Sequence, residues 1–260
     1  MTDDILKKYL KEIPAFLALL RAVEAGFYRE IELPDPMLDL GCGDGRFGTL
    51  ALQHPIRAGI DNEWRVVQEA NKRTAYLTVA QGQGARLPFA NEYFASAVSN
   101  SVLEHIPDID PALRDLSRVL QSGATFAFCV PSEYFVSFLS VSRVLRRIGL
   151  SALARRYETF FNYISRHHHC DSPETWQHRL DIAGFDVERY WYYFSPRALQ
   201  ALEWGHYLGV PALLAKAITR RWIVAPSDAN LWLTDKIVRR YFELSLPTIG
   251  AYLFFIARKR

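Results

Sequence analysis

The sequence predicts an α/β fold, a doubly wound and mostly parallel sheet with helices between its strands. Three observations predict it. Short apolar runs alternate with amphipathic stretches from residue 37 to residue 130. The first run, Met37-Leu38-Asp39-Leu40, ends in three glycines at alternate positions, Gly41, Gly43 and Gly45. A second run, Ala58-Gly59-Ile60, closes on Asp61. Strands separated by helices pair in parallel through crossovers, which requires this alternation.

Along the chain, Asp4 to Ala25 reads as an amphipathic helix, with Ile5, Leu6, Tyr9, Leu10, Ile13, Phe16, Leu17 and Leu20 at helical spacing. Pro14 should kink or divide it, because proline lacks the N–H and its ring clashes with the preceding turn. The helix either covers a site or packs on the sheet edge. Next come strand 37–40, helix 45–53, strand 57–60, helix 63–74, strand 77–80, strand 95–99, helix 109–120 and strand 124–130. In such a sheet ligands bind at the carboxyl ends of the strands, where strand order reverses. Asp39 to Gly45, Asp61, Gln83 and Asn100 all fall at such ends.

Beyond Pro131, residues 132–170 read as helical, with arginines at 143, 146, 147, 155 and 156. Ser172-Pro173 is a helix start, serine at the cap and proline at the first position. That helix ends at Ala183-Gly184-Phe185, and a strand follows from Asp186 to Phe194. Residues 196–245 form a long helical insertion carrying Trp204, Tyr207, Trp222, Trp232, Tyr241 and Phe242, and Pro247 to Ala257 reads as the last strand. The expected organisation is one domain over 1–260. Its ligand-binding core is 26–131, and 132–170 and 196–245 are helical insertions that cap it.

Half of the residues are hydrophobic and 13% are aromatic, enough for a sizeable core. A formal net charge of +3 is too weak to argue for nucleic acid. The three cysteines, Cys42, Cys129 and Cys170, are scattered and make no disulfide framework. With an acidic start and no basic–apolar–cleavage pattern, a cytoplasmic location is expected.

The glycines let backbone approach a ligand closely, and an acid about 20 positions on can hold both hydroxyls of a ribose. The site therefore suits a nucleoside. Gly43-x-Gly45-x-x-Gly48 matches a dinucleotide pattern, but that register starts late, since Gly41 is the glycine that follows the strand. Asp39 and Asp44 would also repel a pyrophosphate. They suit a ligand bearing an ammonium and a sulfonium, which is S-adenosylmethionine.

Three further pieces extend this reading: Gly82-Gln83-Gly84-Ala85-Arg86-Leu87-Pro88-Phe89, then Phe94 to Pro107 with Asn100-Ser101-Val102-Leu103-Glu104-His105, then Arg118-Val119-Leu120-Gln121-Ser122-Gly123 before the strand Thr125–Val130. With the glycine loop, they make residues 37–132 resemble the class I S-adenosylmethionine-dependent methyltransferases, in particular the branch often called methyltransferase type 11. The resemblance implies a Rossmann-like, seven-stranded sheet whose last strand inserts antiparallel. It implies that Gly41, Gly43 and Gly45 floor the methionine part of the cofactor and that Asp39 orients the loop. Asp61, with Asn62 beside it, takes the ribose hydroxyls. Gln83 stands where the family usually has an aspartate, and its amide oxygen can still accept from the adenine amino group. Gly84 would offer its N–H to the adenine ring, Asn100 borders the active site, and His105 lies near the cofactor. Ala95 departs from the family, which commonly has an acid there.

His167-His168-His169-Cys170-Asp171 admits three readings: a metal site, a general base, or a polar loop before the helix at Ser172. Adjacent histidines point apart and no second ligand cluster stands at a suitable spacing, so no metal is assigned. His167, His168 and His169 are the candidate catalytic bases. An activated sulfonium methyl needs mainly alignment and a nucleophile, so a shaped, dry pocket can suffice.

The expected function is S-adenosylmethionine-dependent methylation, at oxygen or carbon, of a small, apolar or aromatic acceptor that enters through 132–245. The alternatives are a nucleic-acid methyltransferase using the arginines at 143–156 and 220–221, or a non-catalytic S-adenosylmethionine-binding module. The apolar Leu208 to Ile218 followed by Arg220 and Arg221 raises a subordinate expectation, a peripheral membrane contact. Internal packing is the simpler outcome for that stretch.

Overall fold

The structure is a computed structural model that describes residues 4–242 and 245–260. Seven strands form one sheet: β1 (Met37–Leu40), β2 (Ala58–Asp61), β3 (Val79–Gln81), β4 (Phe94–Asn100), β5 (Leu120–Pro131), β6 (Phe185–Tyr193) and β7 (Tyr252–Lys259). Their order is β3-β2-β1-β4-β5-β7-β6. The first five pair in parallel, and β7 inserts antiparallel between β5 and β6. β1 is buried at all four positions, as a parallel strand covered on both faces must be. Strand order reverses between β1 and β4, which opens a crevice above their carboxyl ends.

Alternation along β5 sorts its side chains to two cores. Phe126, Phe128 and Val130 face α5 (Ile109–Val119) and α8 (Pro173–Ala183) with Leu113, Leu116, Trp176 and Leu180. Ala127 and Cys129 face the opposite core with Val23, Phe27, Leu199 and Leu202. That core belongs to α2 (Ala15–Tyr28) and α9 (Pro196–Leu208). Pro14 divides the N-terminal segment outright: α1 (Ile5–Leu10) ends before it and α2 begins after it. α3 (Arg46–Ala51) and α4 (Trp64–Ala70) follow β1 and β2.

The stretches expected as insertions hold α6 (Ser140–Arg147), α7 (Ser151–Ser165), α9, α10 (Val210–Thr219) and α11 (Asp228–Val238). Glu203 of α9, fully buried, accepts from the backbone N–H groups of Ser140 (2.6 Å) and Val141 and from the Tyr157 hydroxyl. Its charge meets the N-terminal end of α6, where the helix dipole favours an anion. α1, α2 and α11 close a third small core around Tyr9, Leu10 and Leu231.

Several boundaries depart from the sequence expectation: α4 ends at Ala70, not at 74, β3 begins at Val79, not at 77, and three others have a visible cause. The last strand begins at Tyr252, not at 247, because the chain first passes against Tyr193: a Cβ at Gly250 would lie 2.2 Å from the Tyr193 carbonyl oxygen. β5 reaches back to Leu120, where a register shift lets Leu120 pair with Phe94. α3 stops at Ala51 because Leu52 turns to extended backbone. Positions 243 and 244 of the expected insertion lie outside the described residues. Cys42, Cys129 and Cys170 are free thiols. No described helix is long and apolar enough to cross a membrane.

Candidate active site

A cavity of about 1640 Å³ lies over the carboxyl ends of β1, β2 and β4. Its floor is the loop after β1. Gly43 has φ +54° and a Cβ there would meet nothing within 4 Å, so a side chain would project into the cavity rather than into protein. Gly41 also lines it. Gly45 caps the start of α3 and faces Arg73, Tyr76 and Ala70, outside the cavity lining.

Asp61 stands at the end of β2 with each carboxylate oxygen engaged once. Oδ2 accepts from the Gly43 N–H (3.0 Å) and Oδ1 from the Glu63 N–H (2.9 Å). The loop and the acid thus hold each other in place, and the remaining lone pairs can serve a vicinal diol. Asn62, Gln83 and Gly84 line the same end. Asn100 also lines the cavity, but its amide is committed to protein: Nδ2 donates to Glu24 (2.9 Å) and Oδ1 accepts from the Cys129 thiol.

Asp39 lies beneath the loop. It is buried and accepts a 2.6 Å hydrogen bond from the Tyr76 hydroxyl. Burial pushes its carboxyl up to about 7, the Tyr76 bond opposes the rise, and nearby Asp61 adds to it. The third glycine of the literal dinucleotide pattern belongs to this pair. A Cβ at Gly48 would lie 2.2 Å from the Tyr76 hydroxyl, so Gly48 makes room for a phenol, not for a phosphate.

α1 and α2 form one wall, where Tyr9, Ile13, Leu17 and Arg21 face the cavity. The N-terminal segment therefore covers the site and packs on the fold at once. Arg21 escaped the sequence reading, although it interrupts the apolar stripe one turn after Leu17. Its guanidinium donates to Glu24 (2.6 Å) and to the Ser101 hydroxyl (2.6 Å). Glu24 is fully buried and is shared with Asn100 and Tyr193.

The opposite wall brings together two stretches far apart in sequence. α7 ends at Arg166 in the left-handed conformation, and the next residues turn onto the segment after β4. The His168 N–H donates to the Glu104 carbonyl (2.8 Å). His105, His167 and His168 line the cavity. Burial first, and His105 second, lower the His167 imidazole to about 3, so it is neutral at physiological pH. Burial raises the Glu104 carboxyl to about 8. His169 turns away: its Nε2 is 2.9 Å from the Ile106 carbonyl and its Nδ1 3.5 Å from Asp171.

Residues 38–128 match the family model described as "Methyltransferase domain". An uncharacterised methyltransferase of Mycobacterium tuberculosis is 36% identical over 104 residues, 37% of this chain and 52% of that protein. The 2-phytyl-1,4-naphtoquinone methyltransferase of Synechococcus elongatus is 33% identical over 104 residues, 36% of this chain and 44% of that one. The chain spans about half the length of the curated relatives it matches. A solved S-adenosylmethionine-dependent methyltransferase from Thermotoga maritima shares the fold, with a TM-score of 0.55 at 15% identity, covering 94% of this chain and 91% of that one.

Proposed function

We propose that the chain methylates a small, apolar or aromatic acceptor at oxygen or carbon, using S-adenosylmethionine; the match of residues 38–128 to the methyltransferase-domain model and the shared fold support this. One observation carries the proposal. A single cavity joins the loop at Gly41 and Gly43 and the Asp61 carboxylate to a wall of His105, His167 and His168.

The residues present fit the cofactor. The open space at Gly43 is a cradle that a side chain would fill. Asp61 offers its spare lone pairs to the ribose hydroxyls. Gln83 and Gly84 stand for the adenine end, Asn62 beside them. Arg21, pinned by Glu24 and Ser101, presents a cation to the amino-acid carboxylate. Asp39 acts from below, through Tyr76 and the loop. Asn100 and Gly45 hold the floor in shape, and His105 borders both halves of the cavity.

When bound, S-adenosylmethionine supplies an activated methyl: the acceptor–carbon bond forms as the sulfur–carbon bond breaks, and its electron pair stays on sulfur. The protein's part is to align the acceptor, exclude water and take the acceptor's proton. The histidine wall stands where that proton leaves. Of the three candidate bases, His167 and His168 face the cavity and His169 does not. The naphthoquinone relative supports an apolar aromatic acceptor, as do Leu17, Phe47, Tyr163 and Trp222 in the lining.

Calorimetric titration with S-adenosylmethionine, then labelled-methyl incorporation into phenolic, quinone and lipid acceptors, tests the proposal. Absence of cofactor binding would sink it. A membrane contact stays a subordinate reading, favoured by Leu213, Leu214 and Ile218 of α10, all exposed and followed by Arg220 and Arg221. Co-sedimentation with anionic vesicles at low salt decides it.

A further inference from the structure

We infer that Glu104, His105 and His167 hold a divalent first-row cation of the zinc type, with a position left open toward the cavity for the acceptor's oxygen. One carboxylate oxygen and two imidazole nitrogens of these residues lie within 4.8 Å of one another. His105 Nε2 is 3.8 Å from Glu104 Oε1. Zinc with bonds of about 2.0–2.2 Å needs its donors somewhat closer than this, a side-chain adjustment rather than a refolding.

The first supporting observation is Glu104 itself. Its side chain is 1% exposed, and Oε2 is buried without a hydrogen-bond partner among the described residues. A buried carboxyl oxygen in that position, charged or neutral, is costly unless something pairs with it. Arg21, whose charge reaches Glu104 from the facing wall, gives its hydrogen bonds to Glu24 and Ser101 instead. A cation held by both carboxylate oxygens, with Oε1 on the His105 side, would supply the partner that Oε2 lacks.

The second observation is the orientation of His105. Its Nδ1 lies 2.9 Å from the Arg166 carbonyl oxygen. A carbonyl can only accept, so Nδ1 carries the hydrogen and Nε2 presents its lone pair on the Glu104 side. This arrangement, the far ring nitrogen tied to a backbone carbonyl, is the one that metal-ligating histidines adopt. His167 is held by the edge contact of Phe135 at 4.8 Å between ring centroids. The left-handed turn at Arg166 both supplies the carbonyl for His105 and delivers His167 beside it.

The donor set selects the ion. Two imidazoles and one carboxylate suit zinc, iron or cobalt and are a poor cage for magnesium or calcium, which take oxygen ligands. Three protein ligands with an open fourth position are the pattern of a working ion rather than a structural one. In chemical terms, which rest on the proposed methyl transfer, an acceptor hydroxyl on the open position loses its proton more readily. The O–H bond breaks, the proton passes to His168 or to water, and the oxygen keeps the electron pair that attacks the methyl carbon.

The test uses the full chain, stripped with chelator and titrated with Zn²⁺ alone by calorimetry, and with Co²⁺ followed by its visible absorption. One ion per chain is expected, with binding weakened at least about tenfold in Glu104→Gln, His105→Ala and His167→Ala and unchanged in His169→Ala. Circular dichroism identifies any variant that fails to fold, and the remaining two then decide. No binding, or equal binding in the folded variants, overturns the site. A separate titration with S-adenosylmethionine keeps the two readings apart. Zinc without cofactor binding would remove the methyltransferase function and leave the metal site standing, and the reverse would remove the metal alone.

Discussion

The hydroxyl of Tyr76 donates a 2.6 Å hydrogen bond to the buried carboxylate of Asp39, joining the loop before β3 to the strand beneath the glycine loop. Tyr76 is thereby the support of the cavity floor. It explains two glycines, since a Cβ at Gly48 or at Gly59 would press on its ring at 2.9 Å or less.

This pair makes stability depend on pH. The Asp39 carboxyl is raised from an ordinary value near 4 to about 7 in the fold, mainly by burial. The folded state therefore binds a proton more tightly than the unfolded chain. Its contribution is most favourable below about pH 4, is lost as pH rises toward 7, and is constant above that. Urea denaturation across pH 4–8 should show this decline together with that of Glu104, which burial raises to about 8, and Asp39→Asn should reduce it by Asp39's share. Tyr76→Phe should extend it to higher pH, because the bond that opposes the rise is gone, and should cost about 1–3 kcal/mol near neutral pH. An undiminished decline in Asp39→Asn would assign it wholly to Glu104 and other groups.

Gly48→Ala separates packing from ligand binding. Overpacking against Tyr76 should destabilise the fold by about 1–3 kcal/mol. S-adenosylmethionine affinity, measured well below the melting temperature, should stay near wild type. A large loss of affinity in a fully folded Gly48→Ala would return Gly48 to the binding loop.

Asp61→Ala should weaken S-adenosylmethionine binding by about 1.5–3 kcal/mol, the scale for hydrogen bonds to a charged group. Gly43→Val should be worse for binding while leaving the fold in place, since its side chain enters the cavity and the left-handed backbone there costs about 1–2 kcal/mol. Calorimetry on both variants checks this, and unchanged affinity in Asp61→Ala would refute the ribose assignment.

The histidines should divide by direction. His168→Ala should lower turnover while cofactor affinity holds, because His168 lines the cavity. His169→Ala should instead lower the melting temperature by a few degrees, through loss of its contacts to Ile106 and Asp171, each worth on the order of 1 kcal/mol. Equal loss of rate in both, with equal loss of stability, would mean that the loop acts only as structure.

Local signals made much of this molecule readable from its residues alone. The apolar runs at 37–40 and 58–61, the glycines after the first, the proline at 14 and the Ser172-Pro173 start each act through the backbone within a few residues. They therefore appear as period, punctuation and cap wherever the chain folds. That Gly43 and Asp61 meet at one end of the cavity was legible for the same reason, since strand ends in a parallel sheet converge by topology. Tertiary structure alone decided the rest. That Tyr76 reaches Asp39, that Arg21 is pinned by Glu24, and that α7 ends where it sets His167 beside Glu104 and His105 all depend on how helices pack across the sheet. Periodicity names the face a side chain occupies but not the residue it meets there. It also cannot show that Glu104 Oε2 is buried without a partner, because burial is a property of the packed molecule and not of its neighbours in sequence.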